Sequence, residues 1–233
     1  MIRQLPLELP HRPSFADEDF LAAPCNAKAL ALLDLWPDWP HRLVTLAGPE
    51  GSGKSHLAAI WARRAGARII AARDLRLDHL PELAEAPALV LEDADSAPVR
   101  ETELFHLINL AMERGTFVLV TARKAPDAWG VKTRDLLSRL RRALLVMLEQ
   151  PDETFLRAIL VKLFQDRQIK VEATLIDYLV VRLERSYRAA QSVVAALDSE
   201  GLARGRAITR ALAAELIAAD PERVAPDAPD ESD

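Results

Sequence analysis

Apolar residues recur along the chain in two rhythms. Short, nearly solid apolar blocks fall at Leu43–Ala47, Arg68–Ala71, Ala88–Glu92, Phe117–Thr121 and Leu144–Leu148. They have the length and composition of buried strands. Between them run stretches of helical period. The clearest, "ETELFHLINLAMERG", places Leu104, Leu107, Ile108 and Ala111 on one stripe and closes on Gly115. Strands alternating with helices predict an α/β fold, a five-stranded parallel sheet flanked by helices. After Pro151 the strand pattern stops. "DETFLRAILVKLFQDRQ", "ATLIDYLVVRLE" and "RAAQSVVAALDSEG" read as helices and predict a small all-α domain. A helix within "FADEDFLAAPCNAKALALLDLW" precedes the first strand and stops near Pro37. The divisions that follow are a proline-rich, extended segment over 1–13, an α/β domain over 14–150, an all-α domain over 151–219, and an acidic, proline-rich tail over 220–233 expected to be disordered.

Composition narrows the function classes. A chain of 233 residues, half of them hydrophobic, suffices for one or two domains with real cores. A formal net charge of -5 argues against a protein that chiefly coats nucleic acid. No apolar run reaches the ~18 residues of a membrane span and no signal peptide opens the chain, so a cytoplasmic protein is expected. The single cysteine, Cys25, excludes an internal disulfide and fits a reducing compartment. The five histidines are scattered, with no metal-ligand spacing.

The chemistry concentrates in "GPEGSGKS", Gly48, Pro49, Glu50, Gly51, Ser52, Gly53, Lys54 and Ser55. This is a phosphate-binding loop between a predicted strand and a predicted helix. Glycines let several N–H groups point at one phosphate, and the following helix adds its positive end. Lys54 suits the β- and γ-phosphates, and Ser55 suits Mg²⁺. "ALVLEDAD" ends a strand in carboxylates, Glu92 and Asp93, where a P-loop ATPase needs acids for the Mg²⁺ water shell and the attacking water. "FVLVTARKAP" ends a second strand at Thr121, a polar group that could sense the γ-phosphate or simply end the strand. Arg139 in "DLLSRLRRALL" and Arg188 in "ERSYRAAQSVV" are arginines where a guanidinium would match phosphate oxygens.

The phosphate loop, "LVLEDAD", "VTARKAP", "DLLSRLRRALL" and "RSYRAAQSVVAAL" stand in the order and at the spacing of the DnaA branch of the AAA+ ATPases, which this chain resembles from about Ser14 to Ile217. The resemblance implies an AAA+ module with a helical lid that binds ADP or ATP with Mg²⁺. It implies that the segment around Leu21 lies beside the adenine and that His56 belongs to the nucleotide site. Arg139 would match the arginine finger, with Arg141 and Arg142 as alternatives, and Arg188 the sensor-2 arginine, with Arg185 as its alternative. Two departures from the pattern, Glu92 for an aspartate and Arg123 where an aspartate stands in the sensor strand, imply slow hydrolysis by the chain itself. The chain would lack the initiator's C-terminal DNA-binding domain and its N-terminal oligomerisation domain.

"QLPLEL" resembles the hexapeptide by which bacterial partners bind the replicative sliding clamp. Leu5, Leu7 and Leu9 would enter an apolar groove while the Gln4 amide fixes register. Such a peptide joined to a DnaA-like module is similar to the family's regulators of initiation. In these, the arginine finger acts in trans on ATP bound to DnaA while the clamp provides indirect contact with DNA. The competing reading is a self-sufficient ATPase of helicase-loader type. A homodimer that hides Arg139 is left open.

Overall fold

The computed structural model describes residues 21–96 and 98–219. The clamp-like residues Gln4, Leu5, Leu7 and Leu9 and the acidic tail lie outside them. The described chain forms two compact units that divide between Gln150 and Pro151.

The first unit is built on five parallel strands, β1 (Leu43–Ala47), β2 (Arg68–Ala71), β3 (Ala88–Glu92), β4 (Phe117–Ala122) and β5 (Leu144–Met147), in the order β2-β3-β4-β1-β5. The helices are α1 (Ala27–Asp34), α2 (Lys54–Ala65), the short α3 (Leu80–Leu83), α4 (Glu101–Arg114) and α5 (Arg134–Arg142). Side chains alternate along each strand, and the core divides accordingly. Val44, Leu46, Val90 and Leu119 pack with α1 and α2, where Trp39 stacks on Trp61 at 5.0 Å between ring centroids. Leu43, Leu89, Leu91, Val118 and Val120 pack with α3, α4 and α5. Both faces of the three inner strands, β1, β3 and β4, are therefore covered, which explains why these read as solid apolar blocks, whereas the edge strands β2 and β5 remain partly exposed. The expected strands appear within one residue at each end, β4 running on to Ala122 and β5 stopping at Met147.

Helix α4 ends where the sequence indicates. Gly115 adopts φ 73° and its N–H reaches back to the Met112 carbonyl, a left-handed cap that glycine takes without steric cost. The segment before α1 is held by Asn26, which is 3% exposed. Its Oδ1 accepts from the Ala23 N–H and its Nδ2 donates to the Leu21 carbonyl.

The second unit is helical: α6 (Glu153–Asp166), α7 (Ala173–Val180), α8 (Tyr187–Arg204) and α9 (Arg210–Ala219). Asp152 caps α6 by accepting from the Phe155 N–H at 2.7 Å, and Ser186 caps α8 through the Ala189 N–H at 3.0 Å. Leu156, Leu160, Leu179, Val193 and Leu197 are fully or almost fully buried.

Candidate functional site

The parallel sheet brings three of its C-terminal ends together. β4 lies between β1 and β3, and its last carbonyls hold the segments leaving both neighbours. The Thr121 carbonyl accepts from the Ala94 N–H at 2.9 Å, and the Ala122 carbonyl from the Gly48 N–H at 3.1 Å. The phosphate loop after β1, the acids after β3 and the polar segment after β4 thus share one edge. Ligands bind at that edge in open α/β sheets. On the far side, β1 hands its Ala47 carbonyl to the Leu148 N–H, and the Glu149 N–H donates to the Cys25 carbonyl. The segment leading from Leu21 into α1 is therefore fastened near the start of the loop.

Gly48 must be glycine for lack of room: a Cβ there would lie 2.5 Å from the Leu148 carbonyl oxygen. Gly53, at φ 96°, turns the loop into α2 in a conformation that L side chains rarely adopt. No side chain caps α2 and its first turn holds no acid, so the helix supplies no anion of its own to its positive end. Ser52 is 8% exposed, and its hydroxyl finds no hydrogen-bond partner among the described residues. Ser55 is exposed, whereas His56 is buried on the first turn of α2.

Lys54 is 7% exposed. Its ammonium donates to the Gly48 carbonyl at 2.8 Å and the Pro49 carbonyl at 2.7 Å, folding back over the loop. Burial pushes its pKa below the ordinary lysine value; Asp93 and Asp95 pull in the other direction, Arg123 adds to the lowering, and Glu50 opposes it. An uncapped helix end, an unpartnered buried hydroxyl and a desolvated ammonium form a donor set that fits a phosphate.

The acids are held by β4. The Thr121 hydroxyl, fully buried, accepts from the Asp93 N–H at 3.1 Å, and Asp93 sits at φ 54°. Thr121 thus secures the turn that carries the second acid. Glu92, half-buried at the end of β3, follows Val90 on the strand face turned toward α2. Asp95, which the sequence reading passed over, accepts from the Arg123 and Lys124 N–H groups at 2.8 and 3.0 Å. Its signal was the third acid of "EDAD". Arg123 sends its guanidinium to Glu50 of the phosphate loop, 2.9 Å away. Among the described residues no three His, Cys, Asp or Glu side chains gather as a metal site.

The three arginines of α5 differ in setting. Arg141 donates to Asp127 at 2.7 Å. Arg139 lies over the Phe105 ring, 5.4 Å from its centroid. Arg142 is exposed. Helix α5 packs on the sheet face opposite α2, so Arg139 is not part of the wall formed by the loop and its helix. Arg188 stands in the first turn of α8, in the helical unit.

The arrangement of β1–loop–α2, acid-tipped β3 and polar-ended β4 has known counterparts. The chain shares the AAA+ fold of DnaA domain III. Domain III of the replication initiation protein DnaA from Thermotoga maritima matches with a TM-score of 0.77 at 20% identity, covering 92% of this chain and 99% of that one. AMPPCP-bound DnaA from Aquifex aeolicus matches with a TM-score of 0.69 at 19% identity, over 82% of this chain and 67% of that one. In sequence the chain is homologous to DnaA. It is 26% identical over 202 residues to chromosomal replication initiator protein DnaA 2 of Chlamydia caviae, covering 78% of this chain and 43% of that protein. The chain thus spans less than half the length of this curated relative. No family model matches it. None of the described helices is long and apolar enough to cross a membrane.

Proposed function

We propose that this chain is an Hda-like regulator that inactivates the replication initiator DnaA. It binds ADP or ATP at Gly48–Ser55 with Mg²⁺, and it promotes hydrolysis of ATP held by DnaA. The observation that carries this reading is the contrast between its own site and Arg139. The phosphate loop is whole and suited to hold a nucleotide, as the AMPPCP-bound DnaA of Aquifex aeolicus does. The catalytic surroundings are altered, with Glu92 for an aspartate and Arg123 paired to the loop. Arg139 stands on the opposite sheet face, bound only by a ring contact among the interactions described. An arginine so placed suits a nucleotide on another molecule, where such a finger contributes roughly 10³–10⁵ in rate.

When bound, the nucleotide supplies the phosphates that organise the loop. Lys54 then trades the Gly48 and Pro49 carbonyls for phosphate oxygens. Thr121 keeps Asp93 in place through its backbone, and Arg188 serves as the lid arginine. "QLPLEL" supplies recruitment: Gln4, Leu5, Leu7 and Leu9 engage the sliding clamp on DNA and raise the local concentration of Arg139 near DnaA.

The test follows conversion of labelled DnaA-bound ATP to ADP on clamp-loaded DNA. Intact chain, a Gln4→Ala/Leu5→Ala variant and Arg139→Ala are compared. The intact chain accelerates conversion and both variants fail. A chain that leaves DnaA's nucleotide untouched while turning over its own ATP is instead a self-sufficient ATPase of helicase-loader type.

A further inference from the structure

The ion pair between Glu50 and Arg123 joins the third residue of the phosphate loop to the segment after β4. Its geometry has three features. First, the backbone of Arg123 is fixed. Asp95 accepts from its N–H and from that of Lys124, and the Lys124 carbonyl accepts from the Trp129 indole, itself part of the core. The guanidinium is therefore delivered from a firm base while its side chain remains 65% exposed. Second, both members of the pair act on the Lys54 ammonium, Arg123 lowering and Glu50 raising its proton affinity. Lys54 is the group that reaches the β- and γ-phosphates in loops of this kind. The ammonium donates to the Gly48 and Pro49 carbonyls, directly before Glu50 in the chain, and Arg123 meets Glu50 at 2.9 Å, so the pair borders the part of the loop over which Lys54 lies. Third, an exposed pair of this sort contributes little stability, so a phosphate can separate it at small cost.

We propose that Arg123 and Glu50 form an opposed-charge pair that decides how well the site accepts a third phosphate. Arg123 exchanges Glu50 for that phosphate, and the Glu50 carboxylate resists its arrival. The planar guanidinium suits two phosphate oxygens at once. A carboxylate at the same place repels them and competes for the same donors. The diphosphate part of a ligand, seated on the loop N–H groups and α2, is nearly indifferent to the pair. This inference rests on the nucleotide-binding reading of the loop.

Opposite signs make it testable. Calorimetric titration of the full chain with ADP and with AMPPCP, in one Mg²⁺ buffer, gives the ratio of the two affinities. Glu50→Gln raises AMPPCP affinity relative to ADP by roughly tenfold, and Arg123→Ala lowers it by roughly tenfold. The double variant returns to within about threefold of the original ratio. Unchanged thermal unfolding shows that the variants are folded, and Glu50→Ala repeats the first sign with a different side chain. Single variants that shift the ratio in the same direction, or by less than about threefold, overturn the pair's role. If the unaltered chain binds neither nucleotide, the nucleotide reading itself fails and the pair's role falls with it. Binding of both with an insensitive ratio overturns the pair alone.

Discussion

The phosphate-loop corner and helix α5 lie on opposite faces of one sheet and are wired differently. At the loop corner the groups hold one another. Lys54 is bonded to two carbonyls of its own loop, Thr121 holds Asp93, Asp95 holds Arg123, and Arg123 reaches Glu50. On α5, Arg141 has a carboxylate partner, while Arg139 has a ring contact and Arg142 is exposed. A site that must bind its own ligand gains from preorganised groups. A residue that must reach a partner's ligand gains from being presentable. The contrast is what a module that holds one nucleotide and acts on another would need.

The sharpest way to break that comparison is to disable each corner separately. If the chain acts on DnaA as proposed, Arg139→Ala lowers stimulated hydrolysis of DnaA-bound ATP by roughly 10³ or more, while calorimetry finds its own ADP affinity within about threefold of the original. Lys54→Ala has the converse signature. ADP at a hundred times the intact chain's Kd stabilises the intact chain by about 2.7 kcal/mol, and this variant loses that gain in thermal unfolding. If Arg139→Ala weakened the chain's own nucleotide binding as severely, the two corners would not be independent.

A smaller effect tests the wiring at the loop. Thr121→Val keeps the shape of the side chain but leaves the Asp93 N–H without its acceptor. A loss of roughly 1–2 kcal/mol in denaturant unfolding is expected. An unchanged midpoint would mean that the turn carrying Asp93 does not depend on β4.

The smallest effect lies on the α5 side. Glu101 accepts from the Lys132 and Thr133 N–H groups, securing the approach to α5. Hydrogen bonds from Thr133 and Lys132 hold its carboxyl below the usual carboxylate range. A folded pKa below the unfolded one means stability present above the unfolded value, near ~4.3, and lost as pH falls through the folded one. Glu101→Gln therefore costs roughly 1 kcal/mol or less at pH 7, and the difference from the unaltered chain shrinks below about pH 4. A cost independent of pH would assign the effect to packing rather than charge.

Much of this was legible in the sequence because it rests on local pattern. Residues buried on both sheet faces made the inner strands β1, β3 and β4 readable to within one residue, and "GPEGSGKS" announced its loop by spacing. Gly115 marked the end of α4 because only its conformation suits that cap. What sequence could not supply was pairing across long separations. Thr121 and Asp93 are 28 residues apart, and Arg123 meets Glu50 because β4 is the neighbour of β1. Asp95 looked like one more acid in a run until its carboxylate was seen to hold two backbone N–H groups. The final helix, α9, was not singled out, because alanines stand at its exposed positions Ala211, Ala218 and Ala219 as well as at the buried Ala213, which blurs the apolar stripe.

The most direct measurement places the label on one nucleotide at a time. DnaA loaded with labelled ATP is mixed with this chain carrying unlabelled nucleotide on clamp-loaded DNA, and the labels are then reversed. The account predicts rapid conversion only when the label is on DnaA, and loss of that conversion with Arg139→Ala. Rapid conversion of the chain's own labelled ATP, with DnaA's untouched, would contradict it.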